Sequence, residues 1–304
     1  MDHWNAENNR LRKILVPIIA LTIACSCADK LVADSATMTS DRDNTLVEAM
    51  RGDLSLGGGD AIYAGRTSII DKGSRRRGVI GFDLSAAIPS GSTITSVTLT
   101  LHHPQSNNGR QTVRLHRLLA DWGEGEASSP GGSGAPAGAG DATWLHTSYP
   151  SDYWSAPGGD YAASPSDSQI VADLGDYTWG STDAMVQDVQ GWLDDPASNF
   201  GWIVIGNEMT IQTVKRLASR EWTEPTERPR LTIDFDAPIP GDLNGDWIVN
   251  GIDLGILLAN WSIPATALGC RGTTPCAPDI NEDGFVNGID LGILLANWTL
   301  PTAR

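Results

Sequence analysis

Ile94-Thr-Ser-Val-Thr-Leu-Thr-Leu101 alternates, and that alternation decides the fold class of most of the chain. Val97, Leu99 and Leu101 fall on one face of an extended segment and Thr98 and Thr100 on the other, the pattern of a strand half-buried against a core. Similar short runs occur at 79–84, 112–118, 202–205, 211–217 and 231–235. The turns between them are rich in Gly, Asn, Pro and Ser, as in Pro89-Ser-Gly91 and Ser106-Asn-Asn-Gly109. One helix interrupts the strands. It is expected to be capped near Ser181 or Thr182, to carry Met185, Val186, Val189, Trp192 and Leu193 on one face, and to end at Pro196. Many short strands with a single helix predict a mainly β domain, a β-sandwich of the jelly-roll kind.

Within it, residues 121–161 form an unusually long connection: Asp121-Trp-Gly-Glu-Gly-Glu126, a Gly/Ser/Ala/Pro tract, Asp141-Ala-Thr-Trp144, then Tyr153-Trp154-Ser-Ala-Pro-Gly-Gly-Asp160. Its aromatic content argues against disorder. Trp122, Trp144 and Trp154 admit two readings. Exposed, their rings could stack on sugar rings; buried, they would pin the loop over the sandwich.

Ala237-Pro-Ile-Pro240 closes this domain, expected at 43–236, and a linker at 237–241 leads to a smaller one at 242–304. Here one phrase is written twice, Asp242-Leu-Asn-Gly-Asp-Trp-Ile-Val-Asn-Gly-Ile-Asp253 and Asp279-Ile-Asn-Glu-Asp-Gly-Phe-Val-Asn-Gly-Ile-Asp290, each followed by Leu-Gly-Ile-Leu-Leu-Ala-Asn-Trp. Calcium takes six to eight oxygens, and a twelve-residue loop supplies them from side chains at positions 1, 3, 5, 9 and 12 and the carbonyl at 7. The first copy offers Asp242, Asn244, Asp246, Asn250, Asp253 and the Ile248 carbonyl; the second offers Asp279, Asn281, Asp283, Asn287, Asp290 and the Phe285 carbonyl. Two Ca²⁺ ions are therefore expected, with Val249 and Val286 facing inward.

Asp at position 12 is one methylene shorter than the usual Glu, so the following helix must approach the ion more closely. Position 6 needs a left-handed backbone and is Gly284 in the second loop but Trp247 in the first. A non-glycine residue there costs about 1–2 kcal/mol, so the first site is expected to bind more weakly than the second or to need the folded pair to stay in shape. After each loop Leu254, Leu257, Leu258 and Trp261, or Leu291, Leu294, Leu295 and Trp298, recur at helical spacing before Pro264 or Pro301.

Arg10, Arg12 and Lys13, the apolar run 14–24 and the small residues after it read as an export signal over 1–28, followed by a flexible segment at 29–42. Ala24-Cys25 leaves a lipid anchor as the alternative to full secretion and the one expected membrane attachment. Beyond the signal, Cys270 and Cys276 read as a disulfide in an oxidising compartment; a zinc site would need two further ligands. A net charge of −16 with no extended basic stretch excludes nucleic acid as a partner.

The loop followed by one helix, duplicated, resembles the type I dockerin. The resemblance implies docking onto a cohesin domain of a scaffold protein through loop positions 10 and 11 and the middle of the helix: Gly251, Ile252, Leu258 and Ala259, and Gly288, Ile289, Leu295 and Ala296. Packing of the two helices against each other is the competing use of these apolar residues.

The larger domain carries Arg76-Arg77-Gly-Val-Ile-Gly-Phe-Asp83, Asp121-Trp-Gly-Glu-Gly125, Val186-Gln-Asp-Val-Gln-Gly-Trp192, Gly201-Trp202 and Ser219-Arg-Glu221 in that order. It resembles the DNRLRE domain, related to disaggregatase repeats and family-96 carbohydrate-binding modules. That resemblance implies a secreted jelly-roll domain of polysaccharide-active proteins and no agreed catalytic residues.

Two functions follow. One is a noncatalytic polysaccharide-binding or cell-surface matrix protein attached through its C-terminal module. The other is a polysaccharide lyase or glycoside hydrolase with its active site in the sandwich. Glu124 and Glu126 are the carboxylate pair an enzyme would need at a separation of about 5 to 9 Å, whereas His102, His103, His116 and His146 lack a nucleophile partner in sequence.

Overall fold

The computed structural model of the 304-residue chain describes residues 33–68, 73–105, 109–261 and 277–299. The export signal, Cys25, the Cys270–Cys276 pair, Pro264 and Pro301 lie outside these residues. Among the described residues no helix is long and apolar enough to cross a membrane.

The strands are β1 (Asp34–Thr39), β2 (Arg42–Val47), β3 (Ala61–Arg66), β4 (Arg75–Gly81), β5 (Thr93–His103) and β6 (Gln111–Arg117), then β7 (Asp167–Val171), β8 (Gly175–Gly180), β9 (Trp202–Ile205), β10 (Lys215–Ala218) and β11 (Arg230–Asp236). They pair antiparallel into a four-stranded sheet, β1-β11-β5-β8, and a seven-stranded one, β7-β6-β9-β4-β3-β10 with β2 also on β4. The two sheets share one core. Val97, Leu99 and Leu101 of β5 are fully buried, as their alternation requires, together with Val113 and Leu115 of β6 and Trp202 and Val204 of β9. Trp179 of β8 is fully buried too, and its indole N–H donates to the Val113 carbonyl at 3.1 Å, a hydrogen bond from one sheet to the other.

Helix α1 (Asp183–Asp194) begins where its cap predicts: the Thr182 hydroxyl accepts the Met185 N–H at 3.2 Å. Met185, Val189 and Trp192 are buried in the same core, while Val186 and Leu193 pack at its border. Asp188 of α1 accepts from the Ser166 hydroxyl, just ahead of β7, at 2.5 Å and from the Trp202 indole of β9 at 2.9 Å.

Two expectations change. Residues 34–39, expected within a flexible segment, are β1, paired along its length with β11. This edge strand is mostly exposed, and its alternation is confined to Ala36 and Met38, half-buried against the core, too short a signal to mark a strand without its ladder partner. The run at 211–217 becomes a shorter strand, because Gln212 takes φ 61° and turns the chain before Lys215.

The long connection is an ordered cover on the outer face of the seven-stranded sheet. Trp122, Trp144 and Trp154 are 3 %, 4 % and 5 % exposed and form a second core with Leu46, Val79, Ile203 and Ile205. The Trp122 and Trp154 indoles donate to the Phe200 and Thr143 carbonyls, each at 2.9 Å. Arg42 stacks on Trp122 at 4.5 Å, and Arg75 and Arg77 stack on Trp144 at 4.9 and 4.8 Å. Of the two readings of these tryptophans, their burial supports the pinning one: the rings fasten the cover to the sheet.

Candidate metal centre and docking face

Each calcium-type loop is followed by a nine-residue helix, α2 (Gly251–Ala259) and α3 (Gly288–Ala296). The helices start with a reciprocal cap. Asn250 Oδ1 accepts the Ile252 N–H at 2.8 Å while Asp253 Oδ2 accepts the Asn250 N–H at 2.8 Å; Asn287 and Asp290 repeat this at 2.8 and 2.7 Å. The short side chain at position 12 thus has a structural reason. Asp253 and Asp290 are fully buried, and their Oδ1 atoms also accept the amides of positions 2 and 3, which draws the helix start onto the loop.

The remaining candidate ligands converge. Asn244 Nδ2 lies 2.9 Å from Asp246 Oδ2, and Asn250 Nδ2 lies 3.4 Å from the Ile248 carbonyl. In the second loop Asn281 Nδ2 is 3.0 Å from Asp283 Oδ2, and Asn287 Nδ2 reaches both Asp283 Oδ2 at 3.4 Å and the Phe285 carbonyl at 3.5 Å. In the second loop positions 3, 5, 7 and 9 therefore meet at one place, while in the first the pairs 3 with 5 and 7 with 9 are each in contact. Asp242 and Asp279 brace the turn from position 1, accepting the amides of Trp247 and Gly284 at 2.8 and 2.9 Å. Among the described residues no three of His, Cys, Asp and Glu form a metal-holding group by themselves. The oxygen set has to include asparagine amides and a main-chain carbonyl, and these are what the loops gather. Such hard, neutral and anionic oxygens suit calcium rather than zinc or copper. The Asn281 amide, then the Phe285 N–H, hold the Asp283 carboxyl below its ordinary value, so it stays anionic.

The expected inequality of the two loops is not found in their backbones. Trp247 is indeed left-handed at φ 65°, but Gly245, two residues before it, takes φ 73°. In the second loop the order is reversed: Glu282 takes φ 57° and Gly284 takes φ 91°. Each loop needs two left-handed residues, at positions 4 and 6, and each has one glycine and one side chain there. The strain is shared equally, and position 4 is the residue that the sequence reading missed.

The helices also separate two jobs. Leu257 and Leu294 are fully buried, and with Val249, Val286, Leu254 and Leu291 they form the core of the small domain. Ile252 and Leu258 are 59 % and 51 % exposed; Ile289 and Leu295 are 56 % and 51 % exposed. Gly251, Ala259, Gly288 and Ala296 are exposed as well. The eight residues expected at a partner surface are thus not used in packing α2 against α3.

The other carboxylates singled out have different surroundings. Glu124 accepts the Asp43 N–H at 2.9 Å and forms a two-point ion pair with Arg220, whereas Glu126 is exposed. His103 and His116 donate from Nδ1 to the Arg216 and Ala162 carbonyls at 2.7 and 2.8 Å, and His146 lies against Thr143 and the Gly52 carbonyl. His102 lies 2.7 Å from Asp176. These groups tie segments together.

Residues 240–297 match the type I dockerin domain. No curated protein matches the chain. Type I dockerins typically bind calcium and attach the proteins that carry them to cohesin-bearing extracellular assemblies.

Proposed function

We propose that this chain is a secreted, noncatalytic polysaccharide-binding or cell-surface matrix protein, attached to a cohesin-bearing scaffold through its C-terminal dockerin. The observation that carries the reading is the exposed apolar pair on each half, Ile252 with Leu258 and Ile289 with Leu295, beside a separately completed core. Half-exposed leucine and isoleucine in matched positions are a surface waiting to be covered.

The ligands would be Asp242, Asn244, Asp246, Ile248, Asn250 and Asp253 for one ion and Asp279, Asn281, Asp283, Phe285, Asn287 and Asp290 for the other. Each loop carries three carboxylates, and a bound calcium ion would supply the positive charge that offsets their repulsion. Asp253 and Asp290 then act at the joint: the same carboxylate that closes the loop caps the helix presenting the partner surface. Loop closure and the docking face are mechanically one unit.

For the large domain, the two-sheet core and its ordered cover support a jelly-roll carrier of the DNRLRE type, and the engagement of Glu124 with Arg220 supports a structural use of that carboxylate. Incubating the purified secreted protein with insoluble and soluble polysaccharides tests this half. Retention without released products is expected; product release by the protein alone would replace binding with a lyase or hydrolase activity.

A further inference from the structure

Val249 is position 8 of the first calcium-type loop, between Ile248, whose carbonyl would be a ligand, and Asn250, which is both a candidate ligand and the cap of α2. Its side chain is fully buried, and its main chain is held from far along the sequence. The Thr299 N–H donates to the Val249 carbonyl at 2.8 Å, and the Val249 N–H donates to the Thr299 hydroxyl at 3.1 Å. One residue thus takes both main-chain groups of position 8. We propose that Thr299 is a positioning residue for the first ion site, and that through it closure of the second loop favours closure of the first. The proposal rests on the calcium-binding reading of the loops and reaches past the dockerin match, which ends at residue 297.

Thr299 acts through the peptide planes on either side of Val249. The Ile248–Val249 peptide is trans, so its N–H and C=O point in opposite directions. Holding the N–H on the Thr299 hydroxyl turns the Ile248 carbonyl the other way, towards the Asn250 side chain at 3.4 Å. The next peptide is held at both ends as well: its carbonyl accepts from Thr299, and its N–H, that of Asn250, donates to Asp253 at 2.8 Å. The candidate ligands at positions 7 and 9 are therefore aimed together. Without the hydroxyl, the buried Val249 N–H would lose its partner and the carbonyl its orientation.

A short path leads from Thr299 to the second loop. Asp290 closes that loop and caps the start of α3, accepting the Asn287 N–H at 2.7 Å and the Ile280 N–H at 2.8 Å. With nine residues, α3 is too short to be stable by itself in water, so its order depends on its caps and its packing. At its far end the Asn297 N–H bonds the Ile293 and Leu294 carbonyls at 3.2 Å, Trp298 packs against the core of the small domain, and Thr299 follows. Closing the second loop completes the first cap of α3 and so sets where Thr299 stands. Coupling of this kind is reciprocal: filling either site favours filling the other.

Terbium, a hard cation that takes the same oxygen ligands, luminesces when a nearby indole is excited, and Trp247 stands at position 6 of the first loop where the second has Gly284. In a terbium titration of the full chain with calcium as competitor, the part of the signal that Trp247→Phe removes belongs to the first loop. Thr299→Val, which keeps the shape and removes the hydroxyl, should weaken first-loop binding about five-fold, the worth of one hydrogen bond. Thr299→Ser, which returns the hydroxyl, should restore it. Thr299 is exposed, so neither change opens a cavity. Disabling the second loop with Asp279→Ala and Asp283→Ala together should also weaken the first-loop signal, and should cost it little more in the Thr299→Val background, because both changes remove the same contact. The two Thr299 variants decide the matter even if the double change unfolds the second half. First-loop affinity unchanged in Thr299→Val, a Thr299→Ser variant as weak as Thr299→Val, or full additivity with the double change would overturn the coupling and leave the calcium reading intact. A parent protein with no terbium signal that calcium displaces would overturn that reading itself.

Discussion

Leu257 and Leu258 are adjacent in sequence and opposite in fate: the first is fully buried between the two calcium-type loops and the second is half-exposed. The same division recurs at Leu294 and Leu295. Leu257→Ala should therefore destabilise the small domain by about 2–5 kcal/mol. Leu258→Asp should cost less than about 0.5 kcal/mol of stability, as a surface change does, while harming attachment. Thermal melts of the full chain with calcium present check the contrast. Equal losses from the two changes would show that Leu258 belongs to the core.

The left-handed residues Trp247 and Glu282 make a matched pair of tests. Replacing either with glycine relieves one unfavourable backbone conformation, so Trp247→Gly and Glu282→Gly should each stabilise their own loop by about 1 kcal/mol. Calcium titrations of the two variants should show tighter binding in the altered loop by similar factors. An improvement in the first loop alone would restore the inequality that position 6 by itself suggested.

Trp144→Ala should unfasten the cover, removing a buried ring and the surface on which Arg75 and Arg77 stack, at a cost of about 3–5 kcal/mol. Chemical denaturation measures the loss. A variant of unchanged stability that no longer binds polysaccharide would return Trp144 to the role of a sugar platform.

Two carboxylates give the large domain opposite pH limbs. The Arg75 guanidinium and the Ser74 and Arg75 amides outweigh burial at Glu48 and hold it at about 2, below its ordinary 4.5. Its folded value is depressed, so its contribution is present above pH 4.5 and is lost as pH falls towards 2. Burial pushes Asp43 well above its ordinary 3.8, aided by the nearby Glu221 and Glu124 and opposed by the Arg220 amide. Here the folded state holds the extra proton, so stability declines as pH rises from about 4 through the raised value. Asp43→Asn should remove this second limb. It keeps an acceptor for the Arg220 amide, and its melting temperature should exceed that of the parent most clearly at pH 8. A lower melting temperature at pH 8 would mean that the Asp43 charge is needed.

How much was legible in the sequence depended on the reach of each signal. The cap of α1 and the β5 alternation are local, and Thr182 and Leu99 stand where their neighbours predict. β1 was hidden because its inward residues, Ala36 and Met38, make too short an alternation, and their ladder partners Ile233 and Leu231 lie far along the chain. The tryptophans were ambiguous for the same reason: their burial depends on Arg42, Arg75 and Ile203, which only the folded sheet brings to them. Position 4 was legible in principle, since Gly245 facing Glu282 mirrors Trp247 facing Gly284.

The most direct test of the account is calorimetric titration of the full chain with type I cohesin domains, with calcium and with a chelator. Binding is expected in calcium, absent in chelator, and lost when Leu258 and Leu295 are both changed to Asp. Binding that survives the chelator or the double change, or no binding to any such cohesin in calcium, would contradict attachment through this face.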